Sequence, residues 1–156
     1  MLALLLAAAP AAARCTDAAA PGVEWRRCLL DQRDLRGVDL TGARLRDTSL
    51  SRARLQEARM SGIDAVDARF VSADLTGADL TDAVLRNADL TRATLRGARL
   101  VRADLRQARL FRADLRDADL TGAELQGADL SGVMLDHARW VDGTRICATG
   151  SVGGCQ

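Results

Sequence analysis

The sequence has no lysine and no tyrosine, one histidine, and only two residues each of tryptophan, phenylalanine and proline. Each shortage excludes something. Without phenols or ammonium groups, and with a single imidazole, the chain is poor in the side chains from which most acid–base sites are assembled. Four aromatic rings offer no platform on which successive bases could stack, which argues against nucleic acid as a partner. They also mean that any core must be filled by small aliphatics. An excess of one charge is missing too: 22 arginines oppose 21 carboxylates, so the chain is neither an acidic tail nor a basic arm. No apolar run reaches the roughly 20 residues of a transmembrane span. No HExxH, glycine-rich phosphate loop or acidic metal cluster occurs, so neither a cofactor nor a metal is expected. The composition points away from an enzyme.

What is present begins with the ends. Residues 1–13 read MLALLLAAAPAAA, an apolar run closed by small residues, with Ala11-Ala12-Ala13 as a cleavage site. This reads as a signal peptide and places the protein in the periplasm or outside the cell, although no basic residue precedes Leu2. Arg14 before Cys15 argues against a lipid anchor. Four cysteines remain: Cys15, Cys28, Cys147 and Cys155. None is spaced as CxxC, and one histidine cannot complete a Cys2His2 zinc site. An even count in a small exported chain reads as two disulfides, with three connectivities open at this point.

Between the cysteine pairs lies a repeat of period five, unbroken from Arg33 to Asp142. Of the 22 positions divisible by five, 18 are Leu, and the others are Met60, Ala65, Phe70 and Trp140. Ala stands two residues before these centres in 17 cases, and Asp or Arg usually stands just before them. All eight glycines of the segment fall two residues after a centre. A helix is excluded, because at about 100° per residue a step of five scatters the leucines around the axis. A strand's period of two fails as well. What fits is a coil that turns a corner every five residues. The centre and the residue two before it point inward, and glycine sits at the corner, where the backbone needs unusual angles.

Charge decides how many corners close a coil. Among residues just before a centre, those 20 apart form 11 opposite-charge pairs and one like-charge pair. At separations of 15 and 25 the like pairs outnumber the opposite ones. Opposed unlike charges stabilise adjacent strands and like charges destabilise them, so the coil has four sides.

This pattern resembles the pentapeptide-repeat family, with its A-(D/N)-L-x-x motif standing as Ala73-Asp74-Leu75, Ala78-Asp79-Leu80, Ala88-Asp89-Leu90, Ala103-Asp104-Leu105 and Ala128-Asp129-Leu130. The resemblance implies an all-β solenoid, a right-handed quadrilateral β-helix with very short strands or single bridges. Twenty-two repeats at four per coil make about five and a half coils, a rod of ~26 Å at the usual strand spacing. The expected division is a signal peptide over 1–13, an N-terminal cap over 14–32, the β-helix over 33–142 and a C-terminal cap over 143–156. Leu75, Leu80, Leu85, Leu90, Leu95, Leu100, Leu105 and Leu110 form the uninterrupted core stack, and Trp25 and Trp140 are end caps. Arg33 at an inward position implies a first coil open to solvent there. Ile63 and Ala65 reverse the usual small-then-large order, with Phe70 filling the space beside Ala65. The tail, Trp140-Val141-Asp142-Gly143 through Cys155, is similar to endings of exported members.

The rod length then chooses the disulfides. Two cysteines precede the coils and two follow them, while a disulfide needs Cα atoms within ~7 Å. Five residues from Asp142 to Cys147 span at most ~18 Å, so neither crossed pairing closes. Cys15–Cys28 and Cys147–Cys155 are expected.

Functional candidates are few. His137, beside Asp136, is a candidate general base, but a lone exposed His near a solenoid end is usually incidental, and nothing places Ser131 in a triad. Residues 86–116 hold nine Arg against three Asp, followed over 117–136 by five acids and no base. The first block suggests an anion-binding belt around Arg92, Arg96, Arg102, Arg106 and Arg112, with Phe111 exposed among them; most such charges simply answer those of adjacent coils. Some members of the family protect DNA topoisomerases by resembling DNA, which needs a cytosolic location and an acidic surface, and this chain departs on both counts. The leading expectation is a non-enzymatic, exported structural or protein-interaction scaffold. Binding of an anionic envelope polymer through the Arg belt comes second, and a topoisomerase-directed DNA mimic third. The protein partner and the oligomeric state are not readable from the sequence.

Overall fold

The computed structural model describes residues 15–156, so the expected signal peptide lies outside the described residues. Each repeat runs extended for three residues and turns over two. At the corner, two residues after the centre, the backbone enters the left-handed region, with φ of 65° at Gly77, 56° at Asp82 and 57° at Arg92. Glycine is favoured there because it alone reaches these angles without steric cost. From Glu24 to Asp119, the residue just before each centre makes a parallel bridge to the residue 20 further on, as in the series Asp39, Arg59, Asp79, Arg99, Asp119, Arg139. Four repeats therefore complete a turn, as the charge pattern requires.

The backbone donors of one repeat show why an Asp precedes the centre. Around Leu90, the N–H of Leu90 donates to Arg109 O at 2.7 Å and that of Arg92 to Phe111 O at 2.9 Å, both in the next coil. The N–H of Asp89 donates back to Ala68 O at 2.9 Å, and that of Ala93 closes the turn onto Leu90 O at 2.9 Å. One donor of the five remains, the N–H of Thr91, and it finds the Asp89 carboxylate at 3.0 Å. The same bond recurs from Thr76 to Asp74, Thr81 to Asp79, Arg116 to Asp114 and Ser131 to Asp129. An Asp side chain is the right length to take this N–H, and so closes the donor account of the repeat.

Four sides result. The first carries Trp25, Leu45, Ala65, Leu85, Leu105 and Leu125 as centres, and the second carries Leu30, Leu50, Phe70, Leu90, Leu110 and Leu130. The third runs from Leu35 to Leu135 and the fourth from Leu40 to Trp140. All eight leucines of the expected stack are buried, as are Ile63, Ala65 and Phe70, while Arg33 is exposed. The coil starts earlier than expected, however. Glu24 bridges Arg44 and Leu29 bridges Ser49, so residues from Val23 onward already belong to the ladder and not to a separate cap ending at residue 32. The phase persists there in Val23, Trp25, Cys28 and Leu30, all buried, but without the alanines that advertise it. An inward position needs an apolar side chain of suitable size, and a disulfide-bonded Cys or a Val serves as well as Ala.

Both disulfides close locally, Cys15–Cys28 with Cα atoms 5.4 Å apart and Cys147–Cys155 with 4.8 Å. The tail folds back antiparallel, Val152 bridging Met134 and Ile146 bridging Arg139. It therefore covers the last edge of the third and fourth sides only. On the first and second sides the ladder stops: one coil earlier Leu105 and Leu110 each donate to the next coil at 2.9 Å, whereas Leu125, Gly127, Leu130 and Gly132 have no backbone acceptor among the described residues. Leu125, Ala128 and Leu130 are accordingly only half-buried. Trp25 is buried over the first side, and Trp140 is half-buried against the core, its backbone N–H donating to Arg145 O at 2.8 Å.

Candidate functional site

The structure divides the expected belt. Arg102 is held by both oxygens of Asp82 at 2.7 Å, one coil away on the same corner. Arg106 lies 2.7 Å from Asp104 and 3.2 Å from Glu124, and Arg96 is 3.3 Å from Asp117. These three guanidiniums are engaged, and they sit on corners facing different directions. Arg92 and Arg112 remain, stacked one coil apart at the corner after the second side, and neither has a carboxylate within 4.0 Å among the described residues. The undescribed residues 1–14 contain no Asp or Glu to supply one. Arg112 lies over the ring of Phe111, 5.1 Å from its centroid, in a cation–π contact.

The charge ladder that revealed the four sides is mostly not a ladder of ion pairs. Of the opposed pairs, Arg44–Glu24 approach to 3.2 Å, Arg54–Asp34 and Arg59–Asp39 to 3.6 Å and Arg139–Asp119 to 4.0 Å. Several carboxylates turn instead, or as well, to their own corner. Asp34, Asp104 and Asp114 take the guanidinium two residues on, from Arg36, Arg106 and Arg116. The Arg36 guanidinium brings Asp34 down to about 2, and the Arg116 and Arg106 guanidiniums hold Asp114 and Asp104 below the usual carboxylate range.

Once these pairings are assigned, seven arginines of the described segment have no carboxylate within 4.0 Å: Arg33, Arg52, Arg69, Arg92, Arg99, Arg109 and Arg112. Their distribution is uneven. Arg69 and Arg109 project from the second side, while Arg52, Arg92 and Arg112 occupy the corner that follows it, with Arg33 beside the same corner in the first coil; only Arg99 lies elsewhere. Two open concavities flank this side. One, of about 810 Å³, is lined by Asp67, Arg69, Asn87, Asp89, Gln107, Arg109 and Asp129. The other, of about 300 Å³, is lined by Asp31, Ser51, Arg52, Arg69, Thr91 and Arg92. Arg52, Arg69 and Arg109 were not in the expected belt. They emerge once position is read modulo 20, since 52, 92 and 112 fall in one column.

His137 is exposed on the corner after the third side. Its Nε2 lies 3.2 Å from Thr149 Oγ1 and its Nδ1 3.5 Å from Asp117 Oδ1. Ser131 belongs to the second side, where its N–H meets Asp129, so the two are not paired. Among the described residues no three His, Cys, Asp or Glu side chains gather as a metal site, and no helix is long and apolar enough to cross a membrane.

Among curated proteins, none is significantly similar to this chain. Several solved structures are. The pentapeptide repeat protein Rfr23 from the cyanobacterium Cyanothece 51142 is 27% identical over 75% of this chain and 90% of its own, with a TM-score of 0.35. HetL, from Nostoc sp. PCC 7120 and described as involved in heterocyst differentiation regulation, is 29% identical over 79% and 70%, with a TM-score of 0.27. QnrB1, a plasmid-mediated fluoroquinolone resistance protein, is 19% identical over 77% and 71%, with a TM-score of 0.40. The sequence profile of pentapeptide repeats matches residues 34–70, 68–107 and 108–139 in eight copies. With the ladder at every twentieth residue and the Asp-tied corners, that match identifies the chain as a member of the pentapeptide-repeat family.

Proposed function

We propose that this protein is a non-enzymatic interaction scaffold working in an oxidising compartment, the periplasm or the exterior of the cell. The helix that family membership implies, right-handed and of about five and a half coils over 33–142, serves to display side chains in fixed columns. One observation carries the reading: inward positions are apolar filler, while outward positions form columns in which neighbours one coil apart stand at strand spacing. Such a rod holds partner-binding groups rigidly without ordering a loop when the partner arrives. The two disulfides agree with the compartment, because thiols in the cytosol are kept reduced.

Cross-linking of the disulfide-intact protein in native periplasm tests this. A partner is expected whose yield falls when outward residues of one side are replaced and persists when those of the opposite side are. Recovery independent of every side, or equal recovery by reduced and unfolded protein, rejects it. A supercoiling assay with DNA gyrase addresses topoisomerase protection. No effect is expected, and inhibition at low stoichiometry would reverse the assignment.

A further inference from the structure

We infer that the second side and the corner after it form a binding strip for a linear acidic polysaccharide, an inference that rests on the scaffold reading and names a ligand class for one side. The first observation is the concentration of unpaired guanidiniums. Arginines of the other sides have carboxylate partners, save Arg33 and Arg99, whereas Arg52, Arg69, Arg92, Arg109 and Arg112 have none within 4.0 Å and line or adjoin the two concavities. Of the acids lining the concavities, Asp31, Asp89 and Asp129 are bonded to hydroxyl or backbone N–H donors at 2.5–3.0 Å, and Asp67 stands at the corner before the side.

The second observation is backbone strain. Arg52, Arg92 and Arg112 stand at φ of 58°, 57° and 56°, in the column that needs the left-handed region. Gln32 and Ser72 share the column at 60° and 57°, and Gly132 fills it further down at 70°. An arginine there costs conformational energy that glycine avoids. Arg102, in an equivalent position, recovers some of it through its bidentate bond to Asp82. No side chain compensates in that way at 52 and 92, and at 112 only the Phe111 ring does, so these guanidiniums stand open to an external partner.

Spacing and chemistry select the ligand. Arg92 and Arg112 are one coil apart and Arg52 two coils further, so the cations recur at multiples of about 4.8 Å along a straight edge. A hexose unit is about as long as one coil is tall, so a chain with one carboxylate per sugar keeps register along the strip. Planar guanidiniums suit carboxylates. Beside them the column Asp31, Ser51, Val71, Thr91, Phe111 and Ser131 offers three hydroxyls for sugar hydroxyls and one partly exposed ring for a sugar's apolar face. A single-stranded nucleic acid would need repeated stacking rings, and this corner has one.

Polygalacturonate immobilised on a matrix is the probe, with a homopolymeric thymidine oligonucleotide of equal charge on a second matrix. Two double variants decide the place. R92G/R112G and R27G/R102G each remove two arginines from left-handed positions, so net charge and backbone relief match, while the second double takes its arginines from ion pairs outside the strip, with Asp47 and Asp82. Thermal melts confirm that both fold. Wild type is expected to bind polygalacturonate in a salt-sensitive manner and monomeric galacturonate far more weakly, with R92G/R112G about tenfold weaker and R27G/R102G unchanged. Equal losses in both doubles, no loss in either, absent binding, or tighter binding to the oligonucleotide would each overturn the inference. Such a failure removes this ligand and leaves the scaffold reading to the cross-linking experiment.

Discussion

Aspartate precedes the centre in so many repeats because of its length as well as its charge. Its carboxylate must reach the N–H two residues on, the one donor that neither the turn nor an adjacent coil satisfies. At Asp74 it takes both the Thr76 N–H at 3.0 Å and the Thr76 hydroxyl at 2.6 Å. Asp74→Ala is expected to cost about 1–2 kcal/mol in urea unfolding, and Asp74→Asn less, because the amide oxygen still accepts. Equal losses would mean that charge, not the turn bond, is what matters. Inward positions act through volume. Leu90 and Leu105 are fully buried, so cutting either to Ala should cost about 2–5 kcal/mol, whereas Arg99→Ala, exposed and unpaired, should cost about 1 kcal/mol or less. Comparable losses in the three variants would show that inward and outward positions are wrongly assigned.

At the scale of one coil, the fold is a stack of identical contacts that ends where no further repeat arrives. The C-terminal element solves half of that problem. Its hairpin-like return gives Leu135 an acceptor in Ser151 O and His137 one in Cys147 O, each at 2.9 Å, and Cys147–Cys155 ties the return shut. Replacing both cysteines by Ser should release this segment first. The expected loss is about 2–3 kcal/mol in the chain-entropy account of a short loop. The sharper test is amide exchange: the N–H groups of Leu135 and His137 should lose protection while that of Leu90 keeps it. Uniform loss of protection would mean that the tail and the rod unfold as one unit. The cap also shows how far a repeat can be read from sequence. The alanine–leucine signature begins at Arg33, but the geometry begins at Glu24, because Val23, Trp25, Cys28 and Leu30 satisfy the inward positions without the signature.

For the whole molecule, near-neutral charge conceals a dependence on pH. Asp34, at about 2, and Asp104 and Asp114, also lowered, bind protons less readily in the folded chain than in the unfolded one, whose carboxyls titrate near 3.8. Their stabilisation is complete above that value and is lost as pH falls from about 4 towards 2. Thermal stability should thus be flat from pH 8 to 5 and decline below 4, and a decline already at pH 6 would implicate other groups. Four-sidedness, inward positions and disulfide pairing were legible in the sequence because each coil repeats the last. A contact 20 residues away is written 20 residues away, and a rod's two ends are too far apart for a disulfide to join. The sequence could not say which arginines are free. Ion-pair partners lie 2, 3, 18, 20 or 21 residues apart, according to how each side chain bends around its corner. That choice belongs to the tertiary structure: Arg102 and Arg112 occupy equivalent places in the repeat, yet the first faces Asp82 across one coil and the second has Arg92 there.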